Sequence, residues 1–482
     1  PSPIPPTKTP RRTPTPTLSP TPSPTPLPVL SPSMFSSADM AQMMVWQAID
    51  SQPEFTLYRL SQTPLGVVDL EWSPDGRHLW LGLASGYTLM GGATWPIPIV
   101  VNRDSHAAWN PNIYGDTWCY KAHDWSPDGR QVVFVRDWHL WLADADRQDT
   151  RPIPLPPDTE SLRSPLYSPD GRLIAALGSR VADGQAFYDL WLLDPAGSAP
   201  LRLIENAGFG AFAWSPAGDA LAHLGQAEDE SLGLARLWLA EVGSGRTVYA
   251  DLGPLPGTEG CLSAPFWVMD GDKALATVLQ RPGVWLVDRQ GQTQWLDEER
   301  LALPPDKDCG SADVSPDGRY AVLCSGLAMS LVDLTTGDKP PIALNEACYT
   351  RSRIAWSPTS THFACWDGYG GGLAMVEAAD GTAQVVAADG SWPGWSPDGR
   401  HLAYWRQNHN GYSLWLLDLD DRATIRLTAP SPDNPLQQIQ IPQGWTVYPY
   451  DITPRWLPDG TAVAFVSRQD EFPEAYLLQL PQ

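Results

Sequence analysis

The residues whose grouping first suggests chemistry are acidic. Asp144-Ala-Asp146 and Asp418-Leu-Asp420-Asp421 cluster carboxylates as a hard cation such as calcium prefers its oxygen ligands. Their placement along the chain argues against a metal. Asp194, Glu241, Asp288, Asp333 and Glu377 follow an apolar strand in the same way, so that with Asp144 and Asp418 seven of nine sequence units carry the acid at one position. An acid repeated in unit after unit is read as a turn former, and no metal site is assigned.

Nucleophilic and redox chemistry leave no signature. The chain has no Gly-x-Ser-x-Gly elbow, His-Glu-x-x-His zinc helix, Walker loop or Cys-x-x-Cys pair. No catalytic residue and no cofactor is assigned, and the reading leans away from an enzyme without closing the question, because single residues from separate elements can still converge on a site.

Aromatic residues are the remaining resource. Of 23 Trp, seven (72, 125, 214, 267, 356, 395 and 456) belong to a recurring turn motif and five (141, 191, 238, 285 and 415) to a recurring later strand, which leaves eleven. Trp95, Trp109, Trp118 and Trp445 of that remainder lie in or beside segments that join one unit to the next. Those segments are long at 102–119, 251–262, 297–309 and 428–451, and insertions sharing one topological position emerge on one face. His106, Trp109, Tyr114, Trp118, Tyr120, Trp445, Tyr448 and Tyr450 are therefore the candidate binding residues. Such a set suits a protein hot spot or sugar stacking, or the loops simply cover one another and the channel mouth.

The elements that must position these residues follow from the repeat. Leu70-Glu-Trp72-Ser-Pro-Asp-Gly-Arg77 recurs at His123–Arg130, Leu166–Arg172 and Pro393–Arg400, with weaker copies at Trp214, Trp267, Val314, Trp356 and Trp456. That makes nine copies, 39 to 61 residues apart, near the period of four-stranded propeller blades. Ser-Pro-Asp-Gly places Pro second and Gly fourth in a tight hairpin turn. Behind it come doubly buried runs such as His78–Leu83 or Gln131–Val135, then a strand with Leu-Trp-Leu or Val-Trp-Leu at its core, then an outer strand. The fold expected is an all-β propeller of nine four-stranded antiparallel blades, or eight with the unit near Trp267 or Trp356 outside the ring. The stretch 55–60 would supply the outer strand of the last blade and so close the circle.

Residues 1–33 contain 25 Pro, Thr or Ser and form an extended polyproline-type stalk. Its three charges, Lys8, Arg11 and Arg12, are basic and would dock on an acidic body. Residues 34–53 are expected to hold one short helix and a linker, because Met40, Met43, Met44 and Ala48 fall near helical spacing behind a Ser cap. The propeller then occupies 54–482. The chain begins with Pro and lacks a signal-peptide pattern, which reads as a processed or truncated form.

Six cysteines beside a surface-type stalk point to disulfides, with six reduced core cysteines as the alternative. Cys309 and Cys324 are equidistant from the centre of the Ser315–Gly318 turn, so a regular hairpin would oppose them. Cys348 and Cys365 flank the next turn off-centre, so pairing there calls for a bulge. Cys119 and Cys261 occupy equivalent places in units two and five, far apart in a ring, and read as unpaired.

Trp-Ser-Pro-Asp-Gly, a strand and then Leu-Trp-Leu-Leu-Asp together resemble the bacterial TolB-type propeller repeat, related in shape to WD-repeat rings, over roughly residues 55–480. The resemblance implies a platform for protein or peptide contact, or the lid of a serine peptidase. The net charge of −23 disfavours nucleic acid as a partner. No apolar run is long enough to span a membrane as a helix. The function expected is a non-catalytic, extracytoplasmic scaffold, secreted or at the cell surface, that binds a protein partner or copies of itself. The alternative is a carbohydrate-binding or carbohydrate-active propeller using loop aromatics.

Overall fold

The computed structural model describes residues 39–481 except 40–41, 54, 64–65, 84–96, 112–121, 147, 183, 228–233, 255–263, 269–270, 278–283, 297–311, 326–327, 336–339, 345–347, 349–351, 368–371, 409–410, 429–438, 442–444, 448–452 and 468–473. Each copy of the repeat builds one antiparallel sheet whose strands pair in chain order. The first strands are Val67–Trp72, His123–Trp125, Ser161–Tyr167, Gly210–Trp214, Phe266–Val268, Ala312–Val314, Ser352–Trp356, Gly390–Trp395 and Arg455–Trp456, and we number their blades 1 to 9. Nine blades is the higher of the two expected counts, and the degenerate units at Trp267 and Trp356 are blades 5 and 7 of the ring.

The turn motif explains how the blades form and how they meet. In blade 1 the Gly76 N–H donates to Ser73 O (2.8 Å), while Ser73 Oγ donates to Asp75 Oδ1 (2.6 Å) and accepts the His78 N–H (2.9 Å). Gly76 sits at φ +67°, a left-handed conformation that costs glycine nothing. A side chain added there would lie 3.1 Å from Pro458 of blade 9, and one at Gly171 would lie 3.3 Å from Pro127 of blade 2. The turns thus form a rosette in which each glycine seats against the preceding blade.

Two departures from the motif keep the turn by other means. Where Ala217 replaces Asp, Ser215 Oγ donates instead to Asp219 Oδ1 (2.8 Å). Where Ser360 replaces Gly, it takes φ 58° itself, and its hydroxyl accepts the Asp317 N–H of blade 6 (3.0 Å).

The motif's Trp has an inter-blade role. Trp72, Trp214, Trp267, Trp395 and Trp456 each donate the indole N–H to a backbone carbonyl of the preceding blade, at Arg455, Leu166, Ala213, Ala355 and Gly394 respectively (2.9–3.3 Å). In every case the acceptor immediately precedes the equivalent aromatic of its own blade. Apolar clusters fill the space between neighbours, including Leu79, Leu81 and Val101 of blade 1 against Ala462, Ala464 and Leu477 of blade 9. Each buried Leu or Val among these side chains contributes about 1.5–3 kcal/mol.

Ring closure follows the expected route. Strand Phe55–Ser61 pairs antiparallel with Glu474–Gln479 in the register Thr56–Gln479 to Arg59–Tyr476. Glu474, 3% exposed, accepts from Ser61 Oγ (2.5 Å) and the Thr63 N–H (2.8 Å), so a buried carboxylate is satisfied across the seam.

The segment before this strand departs from expectation. Of the residues read as helix, Asp39, Gln42 and Met43 are helical, and from Met44 the chain becomes a fifth strand, Met44–Gln52, outside Phe55–Ser61. The free edge of the closing strand offers a ladder to Val45 and Trp46, both good β formers, and that outweighs the helical spacing of the methionines.

A bridge between Cys348 and Cys365 joins the connection from blade 6 to the second strand of blade 7. The bulge expected for this pair is absent, because register runs unbroken from Ser352–Asp367 to Trp356–Phe363 and Cys365 faces Ile354. Cys348 reaches its partner from outside that hairpin. Closing 17 residues is worth about 3 kcal/mol in the chain-entropy view. Cys309, Cys119 and Cys261 lie outside the described residues, so the expected Cys309–Cys324 pair is not placed.

Candidate functional site

Strand order divides the molecule into two faces. Turns between first and second and between third and fourth strands lie on one, the turn face. Second-to-third hairpins and blade-to-blade connections lie on the other, the looped face where binding is expected.

The sequence-derived candidates separate under this geometry. Trp109 lies in the outer strand Ala108–Trp109 of blade 1, is 4% exposed and packs edge-on against Phe134 of blade 2 (6.5 Å), so it is core. His106 belongs to the third-to-fourth turn of blade 1 and thus to the turn face, where its ring stacks on Trp46 (4.5 Å, 3° between planes). Taking 102–119 as one connecting segment missed the short strand inside it. Trp445 begins a strand, Trp445–Val447, paired with Ile439–Ile441 in the connection from blade 8 to blade 9. Tyr114, Trp118, Tyr120, Tyr448, Tyr450, Lys8, Arg11 and Arg12 lie outside the described residues.

The acids read as turn formers do that work. Asp144, Asp194, Asp288, Asp333 and Asp418 each accept a backbone N–H two residues on, at 2.7–3.1 Å.

On the looped face the structure assembles a cluster that the sequence reading had not singled out. Asp137 and Trp138 form a two-residue hairpin in blade 2, both at positive φ (50° and 64°), and the indole is left 37% exposed. Arg163, from the first strand of blade 3, places its guanidinium carbon 4.9 Å from the Trp138 ring, 5.6 Å from Tyr188 and 5.9 Å from Phe209. Ser164 at φ 55° and a register shift after Arg163 turn the chain at this point. The Arg163 Nε is buried without a hydrogen-bond acceptor among the described residues. Blades 2, 3 and the lead-in to blade 4 thus present one stack of three rings around a cation. The available signal was Trp138 itself, a Trp outside both repeat positions and inside a two-residue hairpin, where no core needs it.

Beside the stack, buried Asp189 holds two arginines, Arg180 (3.2 Å) and Arg202 (3.4 Å), and accepts the Asn206 N–H (2.8 Å). This pairing stiffens the blade 3 hairpin that carries Tyr188.

No protein-family model matches the chain, and no curated protein matches it by sequence. Solved structures similar to it include an oligogalacturonate lyase in complex with manganese, at 12% identity and TM-score 0.43 over 91% of this chain and 97% of that one. The oligogalacturonate lyase of Vibrio parahaemolyticus follows at 13% and 0.41, over 90% and 96%. A eukaryotic initiation factor stands at 12% and 0.45, over 78% and 96%. Likeness at these values carries no argument about what this chain binds or does. Among the described residues no helix is long and apolar enough to cross a membrane.

Proposed function

We propose that this propeller is a non-catalytic scaffold of TolB type whose looped face binds a protein, either another chain or a second copy of itself. The observation that carries the reading is the Arg163 stack with Trp138, Tyr188 and Phe209. Trp, Tyr and Arg are the residues that dominate protein hot spots, and a guanidinium held between rings has already lost the rotamer freedom that binding would otherwise remove. An extracytoplasmic address, secreted or at the cell surface, is supported by the Cys348–Cys365 bridge, since disulfides persist in oxidising compartments. The Pro/Thr/Ser-rich stalk with Lys8, Arg11 and Arg12 is the tether, and in a self-assembly its basic residues meet a neighbour's acidic body.

The test compares wild type with Arg163→Ala and Trp138→Ala in co-precipitation from the surface fraction of the source cells, with sedimentation to report self-association. Expected is one stoichiometric protein partner, or a dimer, weakened about 30-fold by either change, as for a hot-spot loss of about 2 kcal/mol. Equal recovery by the variants, or a monomer without a partner, would overturn the reading.

A further inference from the structure

A second site lies on the turn face, at the seam where the ring closes. A groove of about 370 Å³, within the range of small-ligand sites, runs between blade 9, the turn of blade 1 and the fifth strand. Its lining includes Trp46, Tyr58, Arg103, His106, Asp459 and Gln479. Three separate sequence regions build it, so the groove exists only in the closed ring.

Three features set it apart from an ordinary crevice. Trp46 (φ 44°) and His106 (φ 58°) are both non-glycine residues in the left-handed region, and they face each other in a parallel stack. His106 takes this conformation at the end of the third-to-fourth turn, as Gln148, Gly245 and Gly381 do in other blades, whereas Trp46 takes it inside a strand, at a cost of about 1–3 kcal/mol of the kind that gathers at ligand sites. The Trp46 Nε1 is buried and has no acceptor among the described residues. Asp459 Oδ1 accepts the Thr461 N–H (2.9 Å) and hydroxyl (2.6 Å), while Asp459 Oδ2 and Arg103 Nη1 approach only to 4.0 Å, too far for a direct hydrogen bond, so that oxygen and the guanidinium keep capacity for a third party.

The chemistry of that party follows. Arg103 is flanked by Asp104 (3.6 Å) as well as Asp459, so the groove offers an anion no surplus of positive charge. A hydroxyl both donates and accepts, and two neighbouring hydroxyls can satisfy a carboxylate and a guanidinium together. The aromatic walls suit the C–H face of a ring, and the volume fits one or two such rings. We propose that the seam groove binds a neutral, hydroxyl-rich ligand of mono- to disaccharide size. This site is independent of the looped-face reading, and neither depends on the other's residues.

The experiment is saturation-transfer NMR on the full chain with glucose, galactose, mannose, maltose and cellobiose, and with glucuronate as the charged control. At least one neutral sugar should receive saturation, and its affinity should fall at least tenfold in Arg103→Met and in Asp459→Asn while Arg163→Ala leaves it unchanged. Arg103 lies off the closing ladder, so its variant should keep the wild-type melting temperature, and Trp46→Phe tests the wall without emptying it. No transfer from any sugar, binding that survives both polar variants, or stronger binding of glucuronate would overturn the proposal.

Discussion

His223 and Asp313 show how far a buried titratable group depends on surroundings that no local pattern announces. His223 lies in the second strand of blade 4, fully buried, with Nε2 against Ala207 O (3.0 Å) and its ring beside Trp238 (5.4 Å). Burial lowers its pKa to about 4. The unfolded imidazole titrates near 6.5, so the folded state disfavours the proton and this residue's share of stability is complete above pH ~6.5 and lost as pH falls toward 4, to about 3 kcal/mol. Asp313 has the opposite sign. Burial raises its pKa to about 6, so stability declines as pH rises from the ordinary carboxylate range through 6. Urea midpoints at pH 7.5 and 4 separate the two. His223→Gln should flatten the acid loss, and Asp313→Asn should raise stability at pH 7.5 by about 1–3 kcal/mol with little change at pH 4. Wild-type slopes in both variants would show that other groups set the profile. Neither group was legible from the sequence, where His223 is one polar residue in an apolar run and Asp313 one acid among 55 Asp and Glu.

At the scale of the element, the turn could be read and the bond between blades could not. Ser, Pro, Asp and Gly act within four residues, so their order encodes the hairpin, and the recurring acids announce the next turn by the same local logic. The Trp acts across a blade boundary, 40–62 residues away along the chain and 383 for Trp72 at the seam, and the sequence shows only that something wants an indole there. The fifth strand was misread for a related reason: Met44–Gln52 answers to a sheet edge supplied by later residues. Contrasting variants test the inter-blade bond. Trp456 donates to Gly394 O (2.9 Å), whereas the Trp125 N–H has no acceptor among the described residues, though both rings are similarly buried. Trp456→Phe should therefore cost about 1 kcal/mol more than Trp125→Phe, the value of one hydrogen bond plus a stranded carbonyl. Equal losses by chemical denaturation would leave packing as the motif's whole contribution.

For the whole molecule, a ring of similar blades has one weak point, the place where chain ends meet. The sequence exposed that seam because Phe55–Ser61 is an unpaired strand before the first motif and the last unit is one strand short. It did not expose the groove beside it, which needs the fifth strand and the blade 1 turn in three dimensions. Phe55, Leu57 and Leu60 are buried at the seam, and at about 1.5–3 kcal/mol each they hold blade 9 together alongside the Glu474 bonds. Removing residues 1–38 takes away the stalk and leaves all of this in place, so the melting temperature should stay within a few degrees. A chain beginning at Gln62 loses the closing strand, exposes the edge Glu474–Gln479 and strands the Glu474 carboxylate. Calorimetry should then show a broad transition well below the first, with concentration-dependent aggregation through the open edge. If both chains melt together, the inter-blade clusters and the turn rosette suffice to hold the ring, and the closing strand is an ornament of the seam rather than its fastening.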